Sequence, residues 1–128
     1  MKRVFVVDDE PDVVELLQTI LEADGMEVRV ATEGSVALEQ ILSDPPDIVV
    51  LDLMMPDVDG FELLKLLRLD PAVARIPVLI LSARTGQQDQ IESLQLGANA
   101  YICKPFSPRK LVRQVRWLLG VTDDYSDS

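Results

Sequence analysis

Five polar residues stand directly after apolar runs, and their types suit one kind of chemistry. Asp8 and Asp9 follow Val4-Phe5-Val6-Val7, and Asp52 follows Ile48-Val49-Val50-Leu51. Ser82 follows Pro77 to Leu81, and Lys104 follows Tyr101-Ile102-Cys103. If the runs are neighbouring parallel strands, these residues gather at the carboxyl edge of a sheet, where open α/β sheets bind ligands. Two carboxylates about 4 Å apart repel by roughly 4 kcal/mol at an effective dielectric near 20. Such a cluster must hold a proton or recruit a cation. Oxygen donors without histidine or thiolate favour Mg²⁺ over zinc. The lysine cannot neutralise three acids, but lysine and metal together can, and they leave room for an anion.

Those parts suit phosphoryl transfer, in which catalysis is mainly positioning and neutralisation of charge. A carboxylate can be the nucleophile and form an aspartyl-phosphate. Asp52 ends the most apolar strand and is the best nucleophile candidate, with Asp8 and Asp9 better placed to bind a cation. The Ser82 hydroxyl and the Lys104 ammonium are candidates to bind phosphoryl oxygens. Each acid taken singly also reads as a helix cap: Asp9 before Pro11, and Asp57 or Asp59 before the third helix. The recurrence at four of five strand ends favours a site.

The elements that must position these residues alternate regularly. After the first strand, Pro11 opens a helix whose stripe is Val13, Val14, Leu17, Ile20 and Leu21, ending at Gly25. A second strand is expected at Val28 to Ala31. A helix follows with Ala37, Leu38, Ile41 and Leu42 on one face, stopped by Pro45-Pro46. A leucine-rich helix is expected from about Phe61 to Leu69. Thr85 with Gln88 resembles a capping box for a fourth helix carrying Ile91 and Leu94 and closed by Gly97. Ser107-Pro108 should cap the last helix, with stripe Leu111, Val112, Val115, Leu118 and Leu119. Continuously apolar strands alternating with helices predict a doubly wound parallel sheet covered on both faces.

Composition excludes several functions. The chain has 128 residues, one ordinary domain. With 48% hydrophobic and 27% charged residues it reads as globular. It has no histidine, which rules out a Ser-His-Asp site or a phosphohistidine within this chain. Its single cysteine, Cys103, cannot form an internal disulfide and reads as a small buried hydrophobe rather than a reactive thiol. A net charge of −10 argues against nucleic-acid binding by this segment. No apolar run has the roughly 18 residues of a membrane span. Asp8 and Asp9 interrupt the apolar start too early for a signal peptide, so a cytoplasmic location is expected.

The set of motifs resembles the receiver domain of two-component response regulators. The stretches that carry this are Val6 to Glu10, Asp47 to Gly60, Pro77 to Ala83, Gly97-Ala98 and Tyr101 to Phe106, within a resemblance spanning about residues 2–120. It implies a flavodoxin-like (βα)5 fold with strand order 2-1-3-4-5 over residues 1–120, and residues 121–128 as a flexible tail or the start of a linker. It implies transfer of a phosphoryl group to Asp52 from the phosphohistidine of a sensor histidine kinase or a histidine phosphotransfer protein. Asp8 or Asp9, Asp52 and the backbone carbonyl of Met54 would hold Mg²⁺. Ser82 and Lys104 would contact the phosphoryl group, across a cis Lys104-Pro105 bond. Tyr101 would be the switch residue, moving with Ser82. The face of the fourth helix, fifth strand and fifth helix would control an output domain or effector, with a homodimer possible. The resemblance implies no enzyme acting on outside substrates, only self-directed phosphotransfer and slow self-dephosphorylation. Met54 and Arg84 would tune the phosphoryl lifetime; neither is a carboxylate or amide that orients water. Asn99-Ala100 departs from the acidic pair that receivers of winged-helix factors carry before the aromatic. Trp117, off the last helix's stripe near Arg113, reads either as a contact surface or as a ring packed over the sheet edge or its own helix stem.

Three rivals remain open at this stage. A flavodoxin-like cofactor binder needs phosphate-cradling residues where Asp8-Asp9-Glu10 stand. An aspartate-nucleophile phosphatase needs Asp-x-Asp where Asp52-Leu53-Met54 stands. A flavodoxin-like binding scaffold that is never phosphorylated differs from the main reading only in its response to a phosphoryl donor.

Overall fold

The apolar runs do pair as parallel strands. The computed structural model describes residues 1–121. Its elements are β1 (Arg3–Val7), α1 (Pro11–Ala23), β2 (Glu27–Ala31), α2 (Gly34–Ser43), β3 (Ile48–Leu51), α3 (Gly60–Leu69), β4 (Val78–Ser82), α4 (Gln87–Gln95), β5 (Ala100–Cys103) and α5 (Pro108–Leu118). The five strands form one parallel sheet in the order β2-β1-β3-β4-β5.

Alternation along each strand divides the interior into two layers. Val4 and Val6 of β1 join Val50, Leu79, Leu81 and Ile102 on the face covered by Leu17 and Leu21 of α1 and Leu111 and Val115 of α5. Phe5 and Val7 join Val49, Leu51 and Ile80 on the face covered by Ala37 and Ile41 of α2 and Leu63, Leu64 and Leu67 of α3. The i, i+4 pairs of α1, α2 and α5 give each helix one buried stripe. Leu42, expected on the α2 stripe, lies at the solvent edge, 37% exposed.

Helix ends follow local chemistry, with three departures. Pro11 sits in the first turn of α1, Gly25 and Gly97 adopt positive φ just past α1 and α4, and the Ser107 hydroxyl accepts from the Lys110 amide at α5. Asp9 is not a cap, because Glu10 occupies the cap position of α1 without a side-chain bond. Asp59 caps α3 through the Phe61 amide, whereas Asp57 reaches across to α2. The Thr85–Gln88 box does not form. The chain from Ser82 to Gly86 stays non-helical, held by the Arg84 amide on Ser82 Oγ and the Tyr101 hydroxyl on the Arg84 carbonyl, so α4 begins only at Gln87. Ile91 and Leu94 of α4 are 42% and 50% exposed, and the buried residue of this helix is Ser93. Val121, assigned from sequence to the tail, donates to the Arg116 carbonyl and so completes the end of α5; the remainder of that tail lies outside the described residues.

A single guanidinium fastens the end of the sheet away from the carboxyl edge. Arg68, on α3, donates to the carbonyls of Gly97 (3.0 and 2.8 Å), Ala74 (3.1 Å) and Ile76 (2.8 Å) and to Asn99 Oδ1 (2.9 Å). Asn99 Oδ1 also accepts from the Val78 amide at the start of β4. Asn99, which stands where the resemblance to winged-helix receivers would put an acid, therefore has a structural task. Its amide joins α3, β4 and β5. Arg68→Ala leaves several half-buried carbonyls without a donor and should cost about 2–4 kcal/mol in urea unfolding. Arg68→Lys should recover less than half of that, because an ammonium cannot reproduce the planar fork.

Candidate functional site

Register brings the polar residues together. Val7 is paired with Leu51, and Leu51 with Ile80, so Asp8 and Asp52 emerge side by side. Ser82 is paired with Cys103, which puts Lys104 one step beyond. The ladder continues past the strands: the Asp52 amide donates to the Val7 carbonyl (2.9 Å) and the Lys104 amide to the Ser82 carbonyl (2.8 Å). Each of these side chains thus hangs from backbone that is still hydrogen-bonded into the sheet.

Lys104 is the hub. Its Nζ lies 2.9 Å from Asp8 Oδ2, 2.7 Å from Glu10 Oε1 and 3.4 Å from Asp52 Oδ2. Asp8 is 2% exposed and Asp52 4%. The second oxygen of each is also engaged, Asp8 Oδ1 by the Glu10 amide (2.9 Å) and Asp52 Oδ1 by the Met54 amide (3.1 Å). Among the described residues no buried side-chain polar atom lacks a partner. A cavity of about 260 Å³ opens beside these groups, lined by Asp9, Glu10, Asp52, Met54, Ala83 and Lys104.

Burial pushes the carboxyls of both Asp8 and Asp52 above the usual aspartate range. The Glu10 amide and Lys104 pull against it at Asp8. At Asp52 the negative charge of Asp8 adds to burial, against the Met54 amide and Lys104. Burial alone would lower the Lys104 ammonium, but Glu10, Asp8 and Asp52 outweigh it and hold the group above its ordinary value.

The donor chemistry fits a small hard cation. Oxygens of Asp8, Glu10 and Asp52 lie within 4.8 Å of one another. Three carboxylates face one ammonium, all donors are oxygen, and no histidine or thiolate takes part. Asp9 lines the cavity but stands outside this closest trio, which contains Glu10 instead. Sequence reasoning had missed Glu10; the signal was the third consecutive acid of Asp8-Asp9-Glu10.

The other expected residues surround the cavity. Ser82 is fully buried, and its Oγ accepts from the Arg84 amide at 3.1 Å. The Lys104-Pro105 bond is cis. Tyr101 is partly buried and donates to the Arg84 carbonyl at 2.7 Å, so the switch candidate is tied to the loop that leaves Ser82. Met54 is half exposed at the cavity wall. The Arg84 guanidinium turns toward the helices, 3.2 Å from Asp89 and 5.8 Å from the centre of the Phe61 ring. Cys103 is half-buried, with Sγ 3.9 Å from the Arg84 carbonyl. Trp117 is 73% exposed and does not pack over the sheet edge.

Comparison with known proteins agrees with this geometry. The family model described as the response regulator receiver domain matches residues 4–116. The alkaline phosphatase synthesis transcriptional regulatory protein PhoP of Bacillus subtilis is 42% identical over 118 residues, covering 92% of this chain and 48% of that protein. The DNA-binding response regulator MtrA of Mycolicibacterium smegmatis is 38% identical, covering 96% and 53%. The chain thus spans about half the length of these relatives. Among solved structures, a response regulator from Chloroflexus aurantiacus superposes with a TM-score of 0.89 at 37% identity, covering 93% of this chain and 98% of that one. The receiver domain of the Francisella response regulator 1452 gives 0.87 at 36%, covering 96% and 100%. The chain belongs to the response regulator receiver domain family, the phosphorylation-regulated signalling switches of two-component systems.

Proposed function

We propose that Asp52 accepts a phosphoryl group from the phosphohistidine of a sensor histidine kinase or a histidine phosphotransfer protein. One observation carries the reading: Asp52 is almost wholly buried, yet it lines an open cavity whose other walls carry Lys104, Asp9 and Glu10. A carboxylate oxygen of Asp52 bonds to phosphorus as the bond from phosphorus to the donor's imidazole nitrogen breaks, and the electron pair leaves with the nitrogen. Asp8, Asp9, Asp52 and the backbone carbonyl of Met54 would hold Mg²⁺, which would neutralise charge on the phosphoryl oxygens when bound. Lys104 exchanges its carboxylate partners for a phosphoryl oxygen, and the Ser82 hydroxyl turns from the Arg84 amide to another.

That exchange is the switch. The new group adds about −1.5 to −2 charge and three acceptor oxygens. Drawing Ser82 toward it pulls on Arg84, whose carbonyl holds the Tyr101 hydroxyl. The shift reaches the face of α4, β5 and α5, where Ile91, Leu94 and Trp117 are exposed for an output domain, an effector or a second copy. The domain acts on itself alone, with slow self-dephosphorylation, since neither Met54 nor Arg84 presents a carboxylate or amide to orient water. Among the described residues no helix is long and apolar enough to cross a membrane. We take the setting to be the cytoplasm.

Acetyl phosphate with Mg²⁺ should label the wild type, and Asp52→Asn should abolish the label. The wild-type label should decay slowly; a half-life at the short end of receiver behaviour would contradict the roles given to Met54 and Arg84. Tyr101→Ala should be labelled normally but respond weakly in partner binding or dimerisation. In metal-free buffer the crowded acids face Lys104 alone. Mg²⁺ at a hundred times its dissociation constant should add about 2.7 kcal/mol to stability. EDTA should reverse the gain, and Asp8→Asn should lose most of it in thermal melts.

A further inference from the structure

The loop that carries Met54 is fastened from outside by α2. The cap position of α2, Glu33, makes no side-chain bond to the helix amides. The cap comes instead from Asp57, 23 residues away, whose Oδ1 accepts from the Gly34 amide at 3.0 Å. Asp57 Oδ2 accepts from the Ser35 amide at 3.3 Å and the Ser35 hydroxyl at 3.2 Å. Beside it, Val58 is seated so closely on Gly34 that a Cβ there would lie 2.7 Å from the Val58 Cβ. The inner end of the loop is equally confined: a Cβ on Gly60 would lie 2.4 Å from the Leu53 Cα, and the Gly60 amide donates to the Leu53 carbonyl. Met54 therefore lies on backbone pinned at both ends, with its own amide on Asp52.

We infer that Asp57 is a positioning residue for the cation site, holding against α2 the loop that carries Met54 so that this ligand is ordered before the ion arrives. The inference rests on the Mg²⁺ ligands proposed above. A helix N-terminus is a good anchor for this purpose, because its free amides and positive dipole end favour a carboxylate. A loop left free would have to be ordered when the ion binds, and affinity would fall by that cost.

The test is calorimetric titration of the full chain with Mg²⁺ alone. Asp57→Ala should weaken binding by about tenfold, in the range for residues that orient metal ligands from outside. Asp57→Asn, which keeps an oxygen for the Gly34 amide, should recover most of the loss. A purely structural cap would lower the melting temperature in metal-free buffer and leave the Mg²⁺ dissociation constant unchanged, and that result overturns the assignment. If Asp57→Ala does not fold, Gly34→Ala decides. It retains the helix and displaces Val58, so weaker Mg²⁺ binding supports the role and wild-type binding overturns it. Failure of the wild type to bind Mg²⁺ would instead remove the underlying ligand set, an outcome separate from equal binding by wild type and variant.

Discussion

Two aspartates buried against one ammonium set the terms for the rest of the molecule. Removing a carboxylate from water costs several kcal/mol even after relaxation. Asp8 and Asp52 bear that cost side by side, and Lys104 together with two backbone amides offsets it only in part. The surplus negative charge favours a cation among these acids; with one bound, as proposed, an anion could follow. The apolar layers above and below the sheet supply the stability that lets such a cluster persist. Strand register keeps it in place, since a slip of one residue would turn Asp8 and Asp52 to the other face.

The charged edge is balanced by a rigid opposite edge. There Arg68 and Asn99 bind α3, β4 and β5 through a network with no buried polar atom unmet among the described residues. The strands are therefore held at their far ends, whatever happens at their carboxyl ends. α4 lies between these regimes. With Ser93 as its buried residue and its larger apolar side chains outward, it is weakly anchored, which suits the role proposed for it.

How far the sequence revealed this depends on the range of the interaction. The placement of Asp8, Asp52, Ser82 and Lys104 at the carboxyl edge was legible because each stands where a continuously apolar run stops. The sheet order required the family resemblance, since periodicity alone does not choose among crossovers. Glu10 was missed because it stands at the start of α1, where an acid reads as part of a helix terminus, while its actual partner lies 94 residues on. Asp57 looked like a cap for the helix that follows it, but its partner is a helix already passed. Arg68 sits in a leucine-rich helix and reads as a solvated charge until α3 is docked on the sheet. Ile91 and Leu94 show the converse. An apolar spacing on a short helix signals burial only if a partner surface is present within the same chain.

That unpartnered face bears on how much the switch can accomplish alone. Phosphorylation does not simply add contacts. On the proposed reading Lys104 would give up Glu10 and Asp8, at 2.7 and 2.9 Å, and Ser82, which accepts from the Arg84 amide, would have to reorient its own proton. The free energy available to move Tyr101 and α4 is the difference between the old partners and the new, not the strength of the new ones. Tyr101 already holds the Arg84 carbonyl in the unphosphorylated chain, so the intramolecular bias can be small. A partner that covered Ile91, Leu94 or Trp117 in one arrangement and not the other would add apolar burial to that arrangement alone. By linkage, that partner must favour phosphorylation as much as phosphorylation favours it. If the proposed switch operates, output and input are two sides of one equilibrium, and the affinity of the outward face counts in it as much as the acids around Lys104.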